Sequence, residues 1–310
     1  MKEKYIIGID IGGTHFRIGA VTGTYHVKCF RKVKADTVLM TDDVLADLKR
    51  YLADYMSLPE LKGNVRAIAI GFPATVDRAR KVVLQAPNLS YMENLPVVDY
   101  LQEHLGIPVF IERDVCMTLF YDMHTYQIPE CEILAGCYFG TGIGNAICIN
   151  GRPLLGRDGA AGELGHIAVP GSQEKCGCGL VGCMENLAGG KYLSRLCREV
   201  YTHTEIGDIF TEHGEEKLLR DFVDRIAITV AAEINILNPD YMIVGGGVIN
   251  MKDFPKELLV EKIHEHTRKP YPEQSLNLLL AEDEEMKSVI GAALYAEKKF
   301  FSSSGEVEQR

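Results

Sequence analysis

The chain has 310 residues and a formal net charge of −10, with 46% hydrophobic and 25% charged residues. That length exceeds one ordinary compact core and asks for one large or two medium domains, and the acidic balance excludes nucleic acid and anionic membrane as main partners. No run approaches the roughly 18 apolar residues that span a bilayer, and nine cysteines, an odd count scattered largely through apolar segments, point to a reducing cytoplasm.

The N-terminal run YIIGIDIGGTHFRIGAV (5–21) reads as an apolar strand, a glycine turn with threonine and a second apolar strand, not as a signal peptide. Gly12 and Gly13 let backbone N–H groups approach an anion with no Cβ in the way, and Thr14 adds a hydroxyl donor. Asp10, at the strand end, is placed to hold Mg2+ through water. DVLADLKRYLADYM (43–56) sets Val44, Leu45, Leu48, Leu52 and Tyr55 on one helical face. VRAIAIGF (65–72) and IPVFIE (107–112) read as buried strands bracketing a helix at 96–105. Asp114 follows in the first turn of the next helix, where the dipole and free N–H groups are expected to keep a carboxylate ionised near neutral pH. Such a group is either a helix cap or a general base toward a substrate hydroxyl.

LAGCYFGTGIGNAICING (134–151) repeats the order of the first hairpin, which suggests two related lobes. Its turn, FGTGIG (139–144), offers Gly140, Thr141, Gly142 and Gly144 in the same anion-facing role. GELGHIAVPGSQEKCGCGLVGCMEN (162–186) then collects His166, Cys176, Cys178 and Cys183, flanked by Glu163 and Glu185. Four N and S ligands suit a closed tetrahedral zinc site. The spacing is not that of a nucleic-acid finger, and a bridge between Cys176 and Cys178 would be a strained small ring; a redox switch is the remaining alternative.

Residues 217–238 repeat apolar side chains at helical spacing until Pro239 stops them, and YMIVGGG (241–247) is a strand ending in Gly245, Gly246 and Gly247. That third glycine stretch makes a close-approach surface sized for a flat nucleobase or sugar. A helix near 255–268, a strand at 276–281, a last helix near 287–300 and a polar, frayed tail complete the chain. The alternation implies α/β sheets flanked by helices. None of the glycine turns is a P-loop or a dinucleotide fingerprint.

Taken in order, DIGGTHFRIG, GFPATVD, PNL, FGTGIGNAICING, GAAGELGH, CGCGLVGCME and IVGGGV resemble the successive signatures of the ROK family of sugar kinases, from residue 6 to about residue 300. The resemblance implies a two-lobed hexokinase/actin-like (RNase H-like) α/β ATPase fold with an inserted zinc-binding loop. Its expected parts are an N-terminal lobe of residues 1–115 joined by a C-terminal helix at about 287–301, a C-terminal lobe of 116–286 with the zinc loop at 166–183, and a tail at 302–310. It implies ATP with Mg2+ between the lobes, phosphates on both hairpins and adenosine near Gly245–Gly247. It makes Asp114 the catalytic base. It sets Gly71, Asn88, Arg113, Asp114, Glu163, His166 and Glu185 around a sugar, with His166 holding a structural Zn2+ through one nitrogen and facing the sugar with the other side of its ring. It also suggests a homodimer.

The reaction so implied is transfer of the γ-phosphoryl group to the C6 hydroxyl of a free hexose. Arg113 departs from the Asn that usually precedes the family's base, and a cationic donor fork cannot replace an amide that both donates and accepts. With GFPA, PNL, RDV and GTHFR, this is most similar to the D-allose kinases, so D-allose is the leading expected substrate. A glucokinase or N-acylmannosamine kinase is the alternative. The family's sugar-responsive repressors carry a DNA-binding segment ahead of the first hairpin; here that hairpin begins at residue 6, which disfavours the repressor reading.

Overall fold

The computed structural model describes residues 3–87 and 89–303. In chain order its elements begin with β1 (Tyr5–Ile11), β2 (His15–Val21), β3 (Val27–Lys34), α1 (Val44–Met56), β4 (Val65–Phe72) and the short pair β5 (Thr75–Val76) and β6 (Val83–Gln85). They continue with α2 (Val97–Leu105), β7 (Val109–Arg113), α3 (Asp114–Thr125), β8 (Ile133–Phe139), β9 (Ile143–Ile149) and β10 (Arg152–Pro153). After the cysteine-rich stretch come α4 (Glu185–Ala188), α5 (Gly190–Glu199), α6 (Ile209–His213), α7 (Lys217–Leu237), β11 (Tyr241–Gly245), α8 (Lys256–His266), β12 (Leu278–Leu280) and α9 (Lys287–Ser303).

These elements fall into two compact units. Unit 1 takes the described residues up to Ile128, the short run Leu155–Ala161 and the described residues from Glu284 onward; unit 2 takes Pro129–Leu154 and Gly162–Asp283. Unit 1 is built on the sheet β3-β2-β1-β4-β7 and unit 2 on β10-β9-β8-β11-β12. Each sheet has the same logic: a hairpin pairs antiparallel, and two further strands add parallel to its first strand. The repeated hairpin motif is therefore the opening of two sheets of like topology.

The central strands are largely buried, and their sequences are accordingly near-continuous apolar runs, with Asp10 and Arg66 as exceptions toward their ends. Ile7, Ile9, Ile11, Phe16, Ile18, Ile68, Ile70 and Ile111 are fully buried in unit 1, with Leu48, Leu52 and Tyr55 of α1 packed on them. Removing each such side chain from water is worth roughly 1.5–3 kcal/mol. β3, VKCFRKVK, lies at the sheet edge and keeps its lysines in solvent, a common way of blunting an edge. In unit 2, Phe139, Phe222, Ile226, Val230, Ile234, Met242 and Val244 form the corresponding core. α7 ends at Asn238 in a left-handed conformation just before Pro239.

The boundary expected at 115/116 is corrected to 128/129, because α3 packs against α9. Gly291 of α9 has no Cβ, and one added there would lie 1.9 Å from the Met117 carbonyl oxygen of α3. Phe120 and Tyr295 meet edge to face at 5.6 Å, and Lys287 pairs with buried Asp122 at 2.7 Å. Residues 155–161 also leave the expected C-terminal lobe for unit 1; of the expected tail at 302–310, residues 302 and 303 end α9 and the rest lies outside the described residues. Among the described residues no helix is long and apolar enough to cross a membrane.

Candidate functional site

In unit 1 the register of the first hairpin sets Asp10 opposite Arg17. Arg17 Nη1 donates to Asp10 Oδ2 at 2.9 Å, and Ser288 Oγ donates to the same oxygen at 2.9 Å. Ser288 reaches it because Gly8 lacks a side chain: a Cβ there would sit 2.0 Å from the Val289 carbonyl oxygen at the start of α9. The turn closes through Gly12 N–H to His15 O at 2.8 Å, leaving Gly13 and Thr14 exposed at its tip. Both donors reach the same oxygen of Asp10, which orients the carboxylate.

Asp114 opens α3, directly after β7, and its Oδ1 accepts the Val115 N–H at 2.7 Å. Its surface is only partly covered, yet protein surrounds the carboxyl closely. That desolvation, reinforced by the negative charge of Asp10, raises its pKa from 3.8 to about 7. The expectation of an ordinary ionised carboxylate is thus overturned: burial and Asp10 outweigh the Val115 amide and the Arg113 charge. A carboxylate poised near neutrality is better matched to moving a proton than a strongly acidic one. Gly71 lies beneath it; a Cβ at 71 would be 3.3 Å from Asp114 Cα and 3.3 Å from Met117 Cγ, so this glycine admits the start of α3. Arg113 is buried, with Nη2 3.9 Å from Cys116 Sγ in the first turn of α3. Asn88 lies outside the described residues.

In unit 2 the second turn carries Gly140, Thr141 and Gly142, whereas Gly144 stands inside β9 opposite Tyr138 rather than in the turn. The backbone N–H groups of Gly190 and Lys191 at the start of α5 donate to Gly140 O at 2.8 Å and Thr141 O at 3.0 Å, which fixes the turn from below. Glu185 Oε2 accepts the Ile143 N–H at 3.2 Å. Gly246, at φ +96°, is required by packing: a Cβ would fall 2.6 Å from both N and O of Phe139. Gly247 has open space around it.

His166, Cys176, Cys178 and Cys183 converge, with one ligand atom from each lying within 4.8 Å of all the others. His166 Nδ1 is 3.7 Å from Cys176 Sγ, and the sulfurs of Cys178 and Cys183 are 3.6 Å apart. A tetrahedral ion at about 2.3 Å from sulfur and about 2.0 Å from nitrogen separates its ligands by roughly 3.5–3.8 Å, so the donors fit one. Burial and the neighbouring thiols push Cys183 up to about 12, whereas hydrogen bonds, that of the Leu180 backbone first, lower Cys178; binding a metal requires thiol ligands to give up their protons. The other ring nitrogen of His166, Nε2, is 3.6 Å from Glu163 Oε2, and Cys176 Sγ is 3.9 Å from Glu185 Oε1. Both glutamates therefore border the cluster.

Three polar groupings lack a local signal in the sequence. Arg17 and Ser288 are recognisable as partners of Asp10 only once the hairpin register and α9 are known. Arg80 and Glu112 form a buried pair at 2.9 Å. Glu233 of α7 is buried, accepting from Asn145 Nδ2 at 2.7 Å and Cys137 Sγ at 2.8 Å, and desolvation raises it to about 7.

A sequence profile of the ROK family matches residues 6–299. A glucokinase of Thermotoga maritima is 30% identical over 270 residues, spanning 80% of this chain and 83% of that protein. The crystal structure of a ROK hexokinase from Thermus thermophilus superposes with a TM-score of 0.77 at 27% identity, covering 96% of this chain and 99% of that one. A ROK family glucokinase from Streptomyces griseus, solved with glucose and AMPPNP, has the same fold at a TM-score of 0.77 and 23% identity, covering 95% of this chain and 99% of that one.

Proposed function

The chain belongs to the ROK family, and from that premise we propose that it is a sugar kinase transferring the γ-phosphoryl group of ATP to the C6 hydroxyl of a free hexose. The observation that carries this reading is Asp114: a carboxyl at the first turn of α3 whose proton affinity is tuned to neutrality by burial and by Asp10. Deprotonated, it accepts the proton of the sugar hydroxyl as that oxygen attacks phosphorus, a contribution of roughly 10²–10⁴-fold. Positioning and charge neutralisation supply most of the rest in phosphoryl transfer.

Gly12, Gly13, Thr14, Gly140, Thr141 and Gly142 are assigned to the phosphates, and Gly245 and Gly247 to the nucleoside. Asp10 is the residue that would hold hydrated Mg2+, whose chemistry is to neutralise phosphate charge. The negative charge of Asp10 helps to raise the proton affinity of Asp114, so this place is short of positive charge, which suits that assignment. His166, Cys176, Cys178 and Cys183 are assigned to structural zinc, the metal to which three thiolates and an imidazole correspond best. Glu163, His166 and Glu185 are assigned to sugar hydroxyls: acceptors braced by a rigid clip lose little rotamer freedom when they bind.

The substrate reading is D-allose, supported by Arg113 in the place of an amide. D-Glucose is the second reading, supported by the likeness to a protein named glucokinase at 30% identity. Coupled measurement of ADP release with ATP and D-allose, D-glucose, N-acetyl-D-mannosamine or N-acetyl-D-glucosamine tests both. The largest kcat/KM with D-allose supports the first; preference for another sugar replaces it, and no sugar-dependent ADP release with any hexose removes the kinase reading.

A further inference from the structure

The run Leu155–Ala161 packs with unit 1, although the chain on either side belongs to unit 2. The loop closes on itself through Ala161 N–H to Leu155 O at 3.2 Å. At its centre Gly159, with φ +84°, has no room for a side chain: a Cβ would lie 2.1 Å from Val76 O and 2.9 Å from Arg80 Nη1. Arg80 fills the space beneath. Its Nη1 donates to Val76 O at 2.6 Å, Asp77 O at 3.1 Å and Gly159 O at 3.4 Å, while Nε donates to Glu112 Oε2 at 2.9 Å. Arg80 also adopts a left-handed backbone, φ 56°, which a non-glycine residue takes up at a cost.

Glu112 continues the path. It is wholly buried in β7, accepts the Tyr295 hydroxyl at 3.3 Å, and takes the Arg113 N–H on Oε1 at 2.9 Å. Arg113 is the last residue of β7, immediately before Asp114. A chain of contacts therefore runs from the Gly159 carbonyl through Arg80 and Glu112 to the corner that aims Asp114. A buried ion pair and a left-handed arginine are poor devices for stability alone, since an apolar pair of similar volume commonly does as well or better.

We propose that Arg80 and Glu112 are positioning residues that bind the 155–161 loop and the β7–α3 corner of unit 1 into one rigid piece, fixing Asp114 for proton transfer from the bound hexose. The proposal rests on the hexose kinase reading. Neither side chain is assigned contact with sugar or nucleotide; both act through backbone they hold.

The test uses the full chain as wild type, Arg80→Gln, Arg80→Lys and Gly159→Ala, each first shown to be folded by thermal melting. Amide hydrogen exchange is read over 155–161 and over β8 and β9, and kcat and KM are measured for hexose and for MgATP. In Arg80→Gln and Gly159→Ala the loop amides are expected to exchange about ten-fold faster or more while β8 and β9 keep their protection. kcat with D-allose or D-glucose, whichever the wild type turns over, is expected to fall about ten-fold with KM for MgATP unchanged. Arg80→Lys, which keeps the charge without the planar fork, should fall between; it and Gly159→Ala carry the test if Arg80→Gln does not fold. Wild-type loop exchange in the folded variants overturns the proposal, and so does faster exchange with an unchanged kcat. If the wild type phosphorylates no hexose, the kinase reading fails by itself, and loop exchange alone then decides whether Arg80 holds the loop.

Discussion

Gly142 leaves just enough room for Glu185: a Cβ at 142 would sit 1.9 Å from Glu185 Oε2 and 2.8 Å from its Cδ. The second hairpin and the carboxylate beside the cysteine cluster are thus in direct contact within unit 2, joined also through the Ile143 N–H. The obstructing atom is the tip of a flexible side chain, so Gly142→Ala should displace Glu185 without breaking the fold. Hexose KM is expected to rise by roughly ten-fold with the melting temperature within about 3 °C of wild type. Gly246→Ala is the contrast. There the obstruction is Phe139 backbone and φ is +96°, so unit 2 should lose on the order of 3 kcal/mol in denaturant unfolding. Equal melting of the two variants contradicts this division of roles.

Asp114 predicts a pH profile. As the base it must be deprotonated, and its raised pKa of about 7 means that it holds its proton below neutrality. kcat/KM should therefore rise with pH and reach half its plateau near 7, not near 4. Asp114→Asn should lower kcat by roughly 10²–10⁴-fold and leave hexose affinity, read by calorimetry, close to wild type. Normal turnover in this variant would remove the assignment.

The cysteine cluster predicts a metal content. One zinc per chain is expected by elemental analysis of the wild type, and none in Cys178→Ser. With the clip lost, Glu163, His166 and Glu185 lose their support, and hexose affinity should fall by roughly 10–100-fold. Retention of both metal and affinity would show that Cys178 is not a ligand.

Glu233 predicts how stability depends on pH. Its folded pKa of about 7 stands above its ordinary 4.5, so between those values the folded state holds a proton that the unfolded state releases. Its contribution is present below about pH 4.5 and is lost as pH rises through 7, on the order of 3 kcal/mol in all. Asp114 acts in the same direction, so Glu233→Gln should remove only the Glu233 share. Urea unfolding at pH 5 and pH 8 measures it; an unchanged slope in Glu233→Gln would place the titration elsewhere.

Much of the local architecture was legible because it depends on neighbours in the chain. VRAIAIGF could be bounded as β4 because a continuous apolar run between turn signals has few other uses. The glycine hairpins and the His166, Cys176, Cys178 and Cys183 set were visible because their donors lie close in sequence. Gly144 was misplaced by one element because glycine is equally at home in a turn and in a strand that needs close packing. Arg80 and Glu112 carried no signal: a charged residue in a polar stretch reads as solvated until its partner is known.

The sequence by itself determined the order of the main buried strands and long helices, the repeated hairpin openings, the closeness in sequence of three cysteines and a histidine, and the acidic residue at the head of α3. Only the tertiary structure decided that α3 belongs with α9, that Arg80 joins the 155–161 loop to Glu112, and that burial and Asp10 push the pKa of Asp114 up to about 7. The physical reason is the range of the forces concerned. Helix periodicity, turn chemistry and ligand spacing act over a few residues, whereas desolvation and charge–charge repulsion depend on groups such as Asp10 and Asp114 that are remote along the chain and meet only when the sheet closes.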